Sequence, residues 1–522
     1  MSQLRDLLVH EDDDLLVVSK PPGLNTHAPA LYAGEGLYEW LRDREPRWAG
    51  LTVVHRLDKE TSGVMVFPKT TAAARSLTDQ FTTRTVKKAY VFVTDRRVPD
   101  EEALVESVVA RAPAATRFIR LSEAHGLTTL RAEPLTGRTH QIRVQAAQKG
   151  FPVLGDAVYG GTPAPRLCLH AEEIGFRHPA TDEAMTFRVP ADFRTDPRLA
   201  LRRAVIDAEE TDTYRLIHGA SDSAPGLYLD RFGRYLLAQA EETLDDGASM
   251  VVDAFAGAVG ALGAYQKVLR RDPAGLAGED ASPRPVLGGR TSGEFPVREN
   301  GLSFLISFDE GYSVGLFLDQ RDNRRRLLTG HVAAGFPLWE AGRAAARGRE
   351  VLNAFAYTCG FSVCAAAAGA RVTSLDLSRK YLEWGRGSFA ANGLDPADHD
   401  FIYGDVFAWA GRLARKGRLY DLVILDPPTF SRAKGRGTFQ AAKDYGRLVA
   451  SIMPLLKPDG CLLASTNAAK LAPERFIEAV TGAVREAGRT VTRSHFAPQP
   501  PDFPVSRAEP AYLKTIWLRL KG

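Results

Sequence analysis

The stretch EVLNAFAYTCGFSVCAAAAGARVTSLDL, residues 350–377, reads as a short apolar strand, a tight turn, a helix of small residues and a second apolar strand. SVCAAAAGA is built from residues that favour helix and pack closely, whereas EVLNAF and VTSLDL carry the apolar and β-branched side chains of buried strands. The same rhythm continues downstream. KYLEWGRGSFAANG (380–393) reads as a helix, GDVF (404–407) as an acidic turn and LVILDPP (422–428) as a strand; a further helix and the strand CLLAST (461–466) follow. Strands that alternate with helices predict a parallel sheet covered on both faces, a doubly wound α/β domain.

Upstream the pattern differs. LLVVS (15–19) ends at the turn signal Pro21-Pro22-Gly23, GVMVF (63–67) and AYVFV (89–93) read as strands, and Ala74, Leu77 and Phe81 recur at helical spacing. This is an α+β pattern with antiparallel character. Residues 195–210 are charged and helical. A new unit starts near TDTYRLIHGASDSAPGLYLDRFG (211–233), and the Gly/Pro/Ser-rich AGEDASPRPVLGGRTSGEF (277–295) reads as a loop.

A chain of 522 residues exceeds what one hydrophobic core supports, so two or three domains are expected. Hydrophobic residues at 44% and charged residues at 25% are globular values. No apolar run approaches the roughly 20 residues that span a bilayer, and the N-terminus MSQLRDLLVHEDDD is acidic where a signal peptide is basic and then apolar. A cytoplasmic protein without a membrane partner is expected. The four cysteines, Cys168, Cys359, Cys364 and Cys461, form no CxxC pair and no zinc-like spacing, so neither a disulfide frame nor a metal is indicated. A net charge of +4 permits a polyanionic partner without demanding one.

In the C-terminal domain NAFAYTCG (353–360) offers one glycine where a dinucleotide pyrophosphate wants three. A ligand without a pyrophosphate fits that turn better, and S-adenosylmethionine (AdoMet) is such a ligand. Asn353, Phe355, Tyr357 and Gly360 are its candidate contacts from the turn. Asp376, ending the second strand, is placed to accept both ribose hydroxyls, and Asp405, after the third, to meet the adenine amine. Asp426-Pro427-Pro428 at the end of the fourth strand makes a rigid acceptor edge, because two prolines fix the backbone and carry carbonyls without N–H groups. That edge can face a base beside the reactive methyl.

In the N-terminal part, HRLDKETSG (55–63) sets Asp58 between Arg56 and Lys59. Alone it reads as a surface ion pair. With KKAY (87–90), PLTGRTHQIRV (134–144) and GFPVLGDAVYGG (150–161), and the flanking DDDLLVVSKPPGLNTH (12–27) and RLCLHAEEIGFRHP (166–179), it resembles the RluA-type pseudouridine synthases over roughly residues 8–195. The resemblance implies that uridine is isomerised without cofactor or metal, with Asp58 as the essential carboxylate. Tyr90 would stack on the base and help move the C5 proton, and Arg143 would be the cation that keeps Asp58 ionised. A flipped uridine follows, with Arg56, Lys59, Lys87, Lys88 and Arg138 as candidate phosphate contacts.

FDEGYSVGLFLDQRDNRR (308–325), VLNAFAYTCGFSVCAA, SLDLSRKYLEWGRGSFAANG and ILDPPTFS resemble the class I AdoMet-dependent methyltransferases of large-subunit ribosomal RNA, and 211–233 resembles their central domain. The resemblance places Gln320 and Arg321 near the cofactor. That group holds cytosine-C5 and guanine enzymes. Cytosine C5 becomes nucleophilic only after a thiolate adds at C6, and here the loop ASTNAAKL (464–471) has Thr466 where the cysteine would lie. Cys461 lies earlier, inside an apolar strand, whereas Thr466-Asn467 is similar to the guanine-N7 branch.

The expected architecture is therefore a mixed-sheet synthase domain at 1–200, a small α+β RNA-binding-like domain at 205–300 and a methyltransferase domain at 301–522. The expected function is pseudouridine formation and base methylation on RNA, ribosomal and with guanine favoured. Cytosine C5, or a chain in which one domain only binds RNA, are the alternatives.

Overall fold

The computed structural model describes residues 4–34, 36–269, 282–311, 313–339, 345–433 and 437–521. The chain forms two compact units, one within residues 1–207 and the other centred on 208–522.

The first unit is built on nine strands: β1 (Leu8–Glu11), β2 (Leu15–Lys20), β3 (Ser62–Pro68), β4 (Lys87–Thr94), β5 (Glu102–Val109), β6 (Ala112–Ala124), β7 (Leu127–Pro134), β8 (Leu169–Arg177) and β9 (Ala184–Arg188). Their order is β1-β2-β3-β8-β4-β7-β6-β5, with β9 beside β8. Only the short β3–β8 pairing is parallel. β2 and β3 are continuous apolar runs because both faces are covered. The helix Thr71–Thr82 packs Ala73 and Leu77 inward and starts at Thr70, whose hydroxyl accepts the Ala73 N–H. The topology gathers the loop before β3, the middle of β4 and the Gln141–Gln148 helix after β7, the three segments that carry Asp58, Tyr90 and Arg143.

The second unit begins with a five-stranded sheet, β10 (Thr213–His218), β11 (Tyr228–Phe232), β12 (Tyr235–Ala240), β13 (Gly263–Val268) and β14 (Arg284–Gly288), in sequential order. Only β12 and β13 are parallel, and the helix Asp246–Val259 makes that crossover. The stretch expected to be a loop at 277–295 is partly strand. Residues 277–281 lie outside the described residues, Arg284–Gly288 pairs with β13, and Glu294–Glu299 forms a hairpin with Leu302–Ser307. Exposed side chains along β14 hid it from a reading based on hydrophobicity.

Seven strands follow: β15 (Glu350–Ala354), β16 (Arg371–Asp376), β17 (Asp400–Tyr403), β18 (Tyr420–Leu425), β19 (Leu456–Thr466), β20 (Thr490–Phe496) and β21 (Lys514–Lys521). Their order is β17-β16-β15-β18-β19-β21-β20. β15 to β19 run parallel, but β21 is antiparallel to both neighbours, so the sheet is mixed rather than wholly parallel. A hairpin of Phe430–Ala433 and Gly437–Gln440 also precedes the expected helix, Ala441–Ile452. The strand order reverses between β15 and β18, which opens a crevice at their carboxyl ends. Phe232, Leu237 and Tyr265 of the five-stranded sheet share one core with Phe304, Phe308 and Val351.

The helix Arg321–Thr329, RDNRRRLLT, is strongly charged yet is buried through Leu327. Buried charge demands partners, and they come from far along the chain. Arg321 makes two 2.7 Å bonds to Asp502, and Arg324 bonds Glu299 at 2.6 and 2.7 Å.

Candidate active sites

In the first unit a 980 Å³ cavity is lined by Asp58, Tyr90 and Arg143 together. The loop that carries Asp58 is clamped on both sides. Thr26 Oγ1 donates to the Leu57 carbonyl at 2.8 Å and accepts the Leu57 N–H at 3.1 Å. Lys20, fully buried, donates from Nζ to the carbonyls of Pro21, Leu24 and Lys59 at 2.9, 2.7 and 3.0 Å. Burial pushes its ammonium down to about 7.

Between these clamps the Asp58 carboxylate is 26% exposed and faces two nitrogens, Arg143 Nη1 at 3.7 Å and His140 Nε2 at 3.6 Å. The closest partner of Arg143, however, is Asp156, which takes Nε and Nη2 in a bidentate pair at 2.7 Å each. Asp156 is itself buried, and it also accepts the N–H groups of Val158 and Tyr159. Arg143 and those bonds hold its carboxyl below the usual range against the opposing effect of burial. The expected Arg143–Asp58 pair is therefore one edge of a larger arrangement. GFPVLGDAVYGG carries Asp156, but nothing local in the sequence shows which cation it meets.

Tyr90 lines the same cavity from β4; burial, reinforced by the charge of Asp58, raises its phenol above the ordinary range. Arg56, Lys87, Lys88 and Arg138 line it too, joined by Arg84 and Arg131, which the motifs did not single out. Lys59 is absent from the lining, and its backbone carbonyl ties the loop to Lys20. Lys88 is mostly buried, which lowers its ammonium. His55 is driven down to about 3 by burial and by Lys88, so the imidazole is neutral and accepts the Val66 N–H at Nε2.

In the second unit a 430 Å³ cavity lies at the carboxyl ends of the parallel strands, a size suited to a nucleoside-containing ligand. Phe355, Tyr357, Asp376, Gln320, Asp426, Pro427 and Pro428 line it. The turn between β15 and the helix Gly360–Ala367 carries three non-glycine residues at positive φ, Phe355, Tyr357 and Cys359, a strained run that the surrounding structure must hold. The Tyr357 N–H donates to Asp376 Oδ2 and the Ser378 N–H to Oδ1, each at 2.8 Å. These bonds fix the carboxylate while burial raises its pKa. Tyr357 O–H accepts the Gly315 N–H at 2.9 Å, and Thr358 Oγ1 donates to the Gly315 carbonyl. Gly315 has φ +118°, and a Cβ there would lie 2.8 Å from the Trp384 ring, so only glycine allows this junction.

At the floor, Gln320 Nε2 donates to Asp426 Oδ2 at 3.3 Å and to Ser465 Oγ at 2.7 Å, while Asn323 donates to Gln320 Oε1. Burial and the neighbouring Asp319 push the Asp426 carboxyl up to about 7. Asp319 lines the cavity as well and accepts the Tyr512 hydroxyl at 3.0 Å.

Four expected contacts are not on this cavity. Asp405 caps the helix Val406–Arg415, its Oδ1 accepting the Ala408 N–H. Arg321 is committed to Asp502. Asn353 is buried within β15 and donates to Ser362. Gly360 opens its helix beneath the turn, against Leu316 and Arg324. Phe317, Leu377 and Tyr381 line the cavity instead, and aromatic contacts link Phe317 and Tyr381 to Tyr357 at 5.2 and 4.6 Å. All three stand inside motifs already recognised, so proximity to Asp319-Gln320 and Asp376 was the available signal.

Two family models match, RNA pseudouridylate synthase over residues 14–148 and S-adenosylmethionine-dependent methyltransferase over residues 278–519. A ribosomal RNA large subunit methyltransferase of Deinococcus radiodurans is 34% identical over 336 residues, 63% of this chain and 78% of that protein. The chain belongs to the S-adenosylmethionine-dependent methyltransferase family. Its N-terminal part is a member of the pseudouridylate synthase family. A ribosomal RNA large subunit methyltransferase I of Klebsiella pneumoniae is 31% identical over 61% of this chain and 76% of its own. The crystal structure of SMU.776 complexed with SAH superposes with a TM-score of 0.51 at 26% identity, covering 66% of this chain and 87% of that one.

AdoMet is the cofactor of the methyltransferase part, and the residues present fit it. The cavity sets the apolar and aromatic walls of Phe317, Tyr357 and Leu377 beside the fixed carboxylate of Asp376. Among the described residues no cluster suited to a metal ion is found, and no helix is long and apolar enough to cross a membrane.

Proposed function

We propose that this chain modifies RNA twice, isomerising a uridine to pseudouridine in the first unit and methylating a purine, guanine before adenine, in the second. Large-subunit ribosomal RNA is the substrate, as the names of the relatives suggest. The observation that carries the reading is that each set of motifs lines a cavity of its own, with Asp58 in the wall of one and Asp376 and Asp426 in the wall of the other.

In the first site Asp58 acts on the ribose, either attacking the sugar or removing a sugar proton. Tyr90 supports the freed uracil, and Arg143, held by Asp156, turns Nη1 toward the Asp58 carboxylate. Arg56, Lys87, Lys88 and Arg138 receive the RNA backbone.

In the second site Asp376 accepts the ribose hydroxyls of AdoMet, whose sulfonium supplies the electrophilic methyl. Asp426 and the Pro427 and Pro428 carbonyls orient the target base. The guanine preference rests on thiol chemistry. All four cysteines are buried, and no cysteine among the described residues lines the cavity. Burial pushes the Cys461 thiol up to about 12, so it supplies no thiolate at neutral pH. Thr466 is buried too, whereas Asn467 faces the cavity and accepts the Thr429 hydroxyl at 2.8 Å. A purine nitrogen needs orientation but no covalent partner. Residues 205–300, centred on the five-stranded sheet, are proposed as the segment that adds RNA contacts.

Ribosomal RNA tritiated at uridine C5 tests both activities when incubated with and without AdoMet and digested to nucleosides. Tritium release with pseudouridine, together with an AdoMet-dependent methylguanosine, is expected. Absence of tritium release across a range of RNA substrates removes the first activity, and 5-methylcytidine in place of methylguanosine overturns the second.

A further inference from the structure

His140 belongs to the motif that supplies Arg138 and Arg143, yet the proposed chemistry leaves it unassigned. It is the residue before the Gln141–Gln148 helix, yet its side chain makes no capping bond. Its backbone sits at φ +57°, ψ +20°, the left-handed region that glycine and asparagine occupy with less strain.

Its two nitrogens are both engaged. Nδ1 lies 2.9 Å from the Tyr159 hydroxyl, and Nε2 lies 3.6 Å from Asp58 Oδ2. A bare Nε2 would set its lone pair against those of a carboxylate oxygen. The tautomer with hydrogen on Nε2 lets Tyr159 donate to Nδ1 and the imidazole donate toward Asp58. Tyr159 is held in turn: its N–H donates to Asp156, and the Arg143 guanidinium lies 5.1 Å from its ring. Arg143 uses Nε and Nη2 on Asp156, which leaves Nη1 alone for Asp58.

We infer that His140 is a positioning residue for Asp58, oriented by Tyr159, that faces the same carboxylate oxygen, Oδ2, as Arg143. The role rests on the pseudouridine reading of this cavity. Asp58 Oδ2 then faces two nitrogens from one segment, Arg143 Nη1 at 3.7 Å and His140 Nε2 at 3.6 Å, three residues apart and both tied to the Asp156–Tyr159 turn.

Three substitutions separate this role from a backbone one, read as kcat and KM for pseudouridine formation by the full chain. His140→Phe keeps a ring but no donor, and kcat is expected to fall about tenfold to a hundredfold with KM changed less than about threefold. His140→Gln, whose amide can reach the Nε2 position, is expected to stay within about threefold of wild type. His140→Asn suits the backbone best but ends short of Asp58, and should fall with the phenylalanine variant. A phenylalanine variant as active as wild type, or an asparagine variant more active than the glutamine one, overturns the inference while leaving the pseudouridine reading intact. A wild-type chain that makes no pseudouridine overturns both. Nitrogen-15 shifts of His140 in the unmodified chain give a readout independent of activity: hydrogen on Nε2 is expected, and hydrogen on Nδ1 refutes the arrangement.

Discussion

Replacing Asp426 by asparagine should stabilise the second unit while destroying methyl transfer. The Asp426 carboxyl stands at about 7, raised from 3.8 first by burial and then by Asp319; the Ser465 and Gln320 hydrogen bonds and the Arg324 charge oppose this only in part. Ionising it in the folded chain therefore costs about 4 kcal/mol relative to the unfolded chain. One edge of the residue meets the cavity, so solvent reduces the figure to about 2 kcal/mol. Because the folded pKa is raised, the folded state holds more protons than the unfolded one between pH 4 and 7. The contribution of this group is therefore fully present below about 3.8 and lost as pH rises through about 7. Asparagine cannot ionise and can still accept from Gln320. The variant should exceed wild type by about 2 kcal/mol at pH 8 and by less at pH 5. Hydrogen exchange of the β18 and β19 amides, corrected for intrinsic rates at each pH, measures the difference where the core opens. No gain at pH 8, or an equal gain at both values, refutes the assignment of a strained acid. Methyl transfer should drop by at least about a hundredfold in the same variant.

Asp58→Asn should abolish tritium release from uridine C5 with methyl transfer unchanged, whereas Asp376→Ala should do the reverse and weaken AdoMet binding measured by calorimetry. Loss of both activities in either folded variant would contradict two independent sites. Asp156→Asn removes half of a buried ion pair and should cost the first unit about 3 kcal/mol and slow pseudouridine formation; unchanged stability and rate would show that Arg143 needs no such partner. Cys461→Ala should leave methyl transfer within about twofold, and a hundredfold loss would reinstate a thiolate mechanism on cytosine.

The two folds were legible because each depends on short-range pattern. Small-residue helices between apolar strands admit a doubly wound sheet, and the order of HRLDKETSG, KKAY and GRTHQIRV marks the first unit. The antiparallel β21 and the exposed β14 were less visible, since strand direction and edge pairing depend on partners far along the chain. Site residues divide in the same way. Asp58, Asp376 and Asp426 stand at strand ends or in fixed turns and Tyr90 within the alternation of β4, so local position predicts where they face. Asp405 and Arg321 do not, because a helix N-terminus claims one and Asp502 the other.

The chain's own text determines which segments are strands and helices and which acids stand at their ends, since those follow from side-chain size, polarity and backbone preference over a few residues. Which charge neutralises which was decided only in three dimensions. Arg143 meets Asp156 rather than Asp58 most closely, and RDNRRRLLT lies buried because Glu299 and Asp502 wait for it. The physical reason is that burying a charge requires a partner at bonding distance, and tertiary packing alone brings residues 181 positions apart to 2.7 Å.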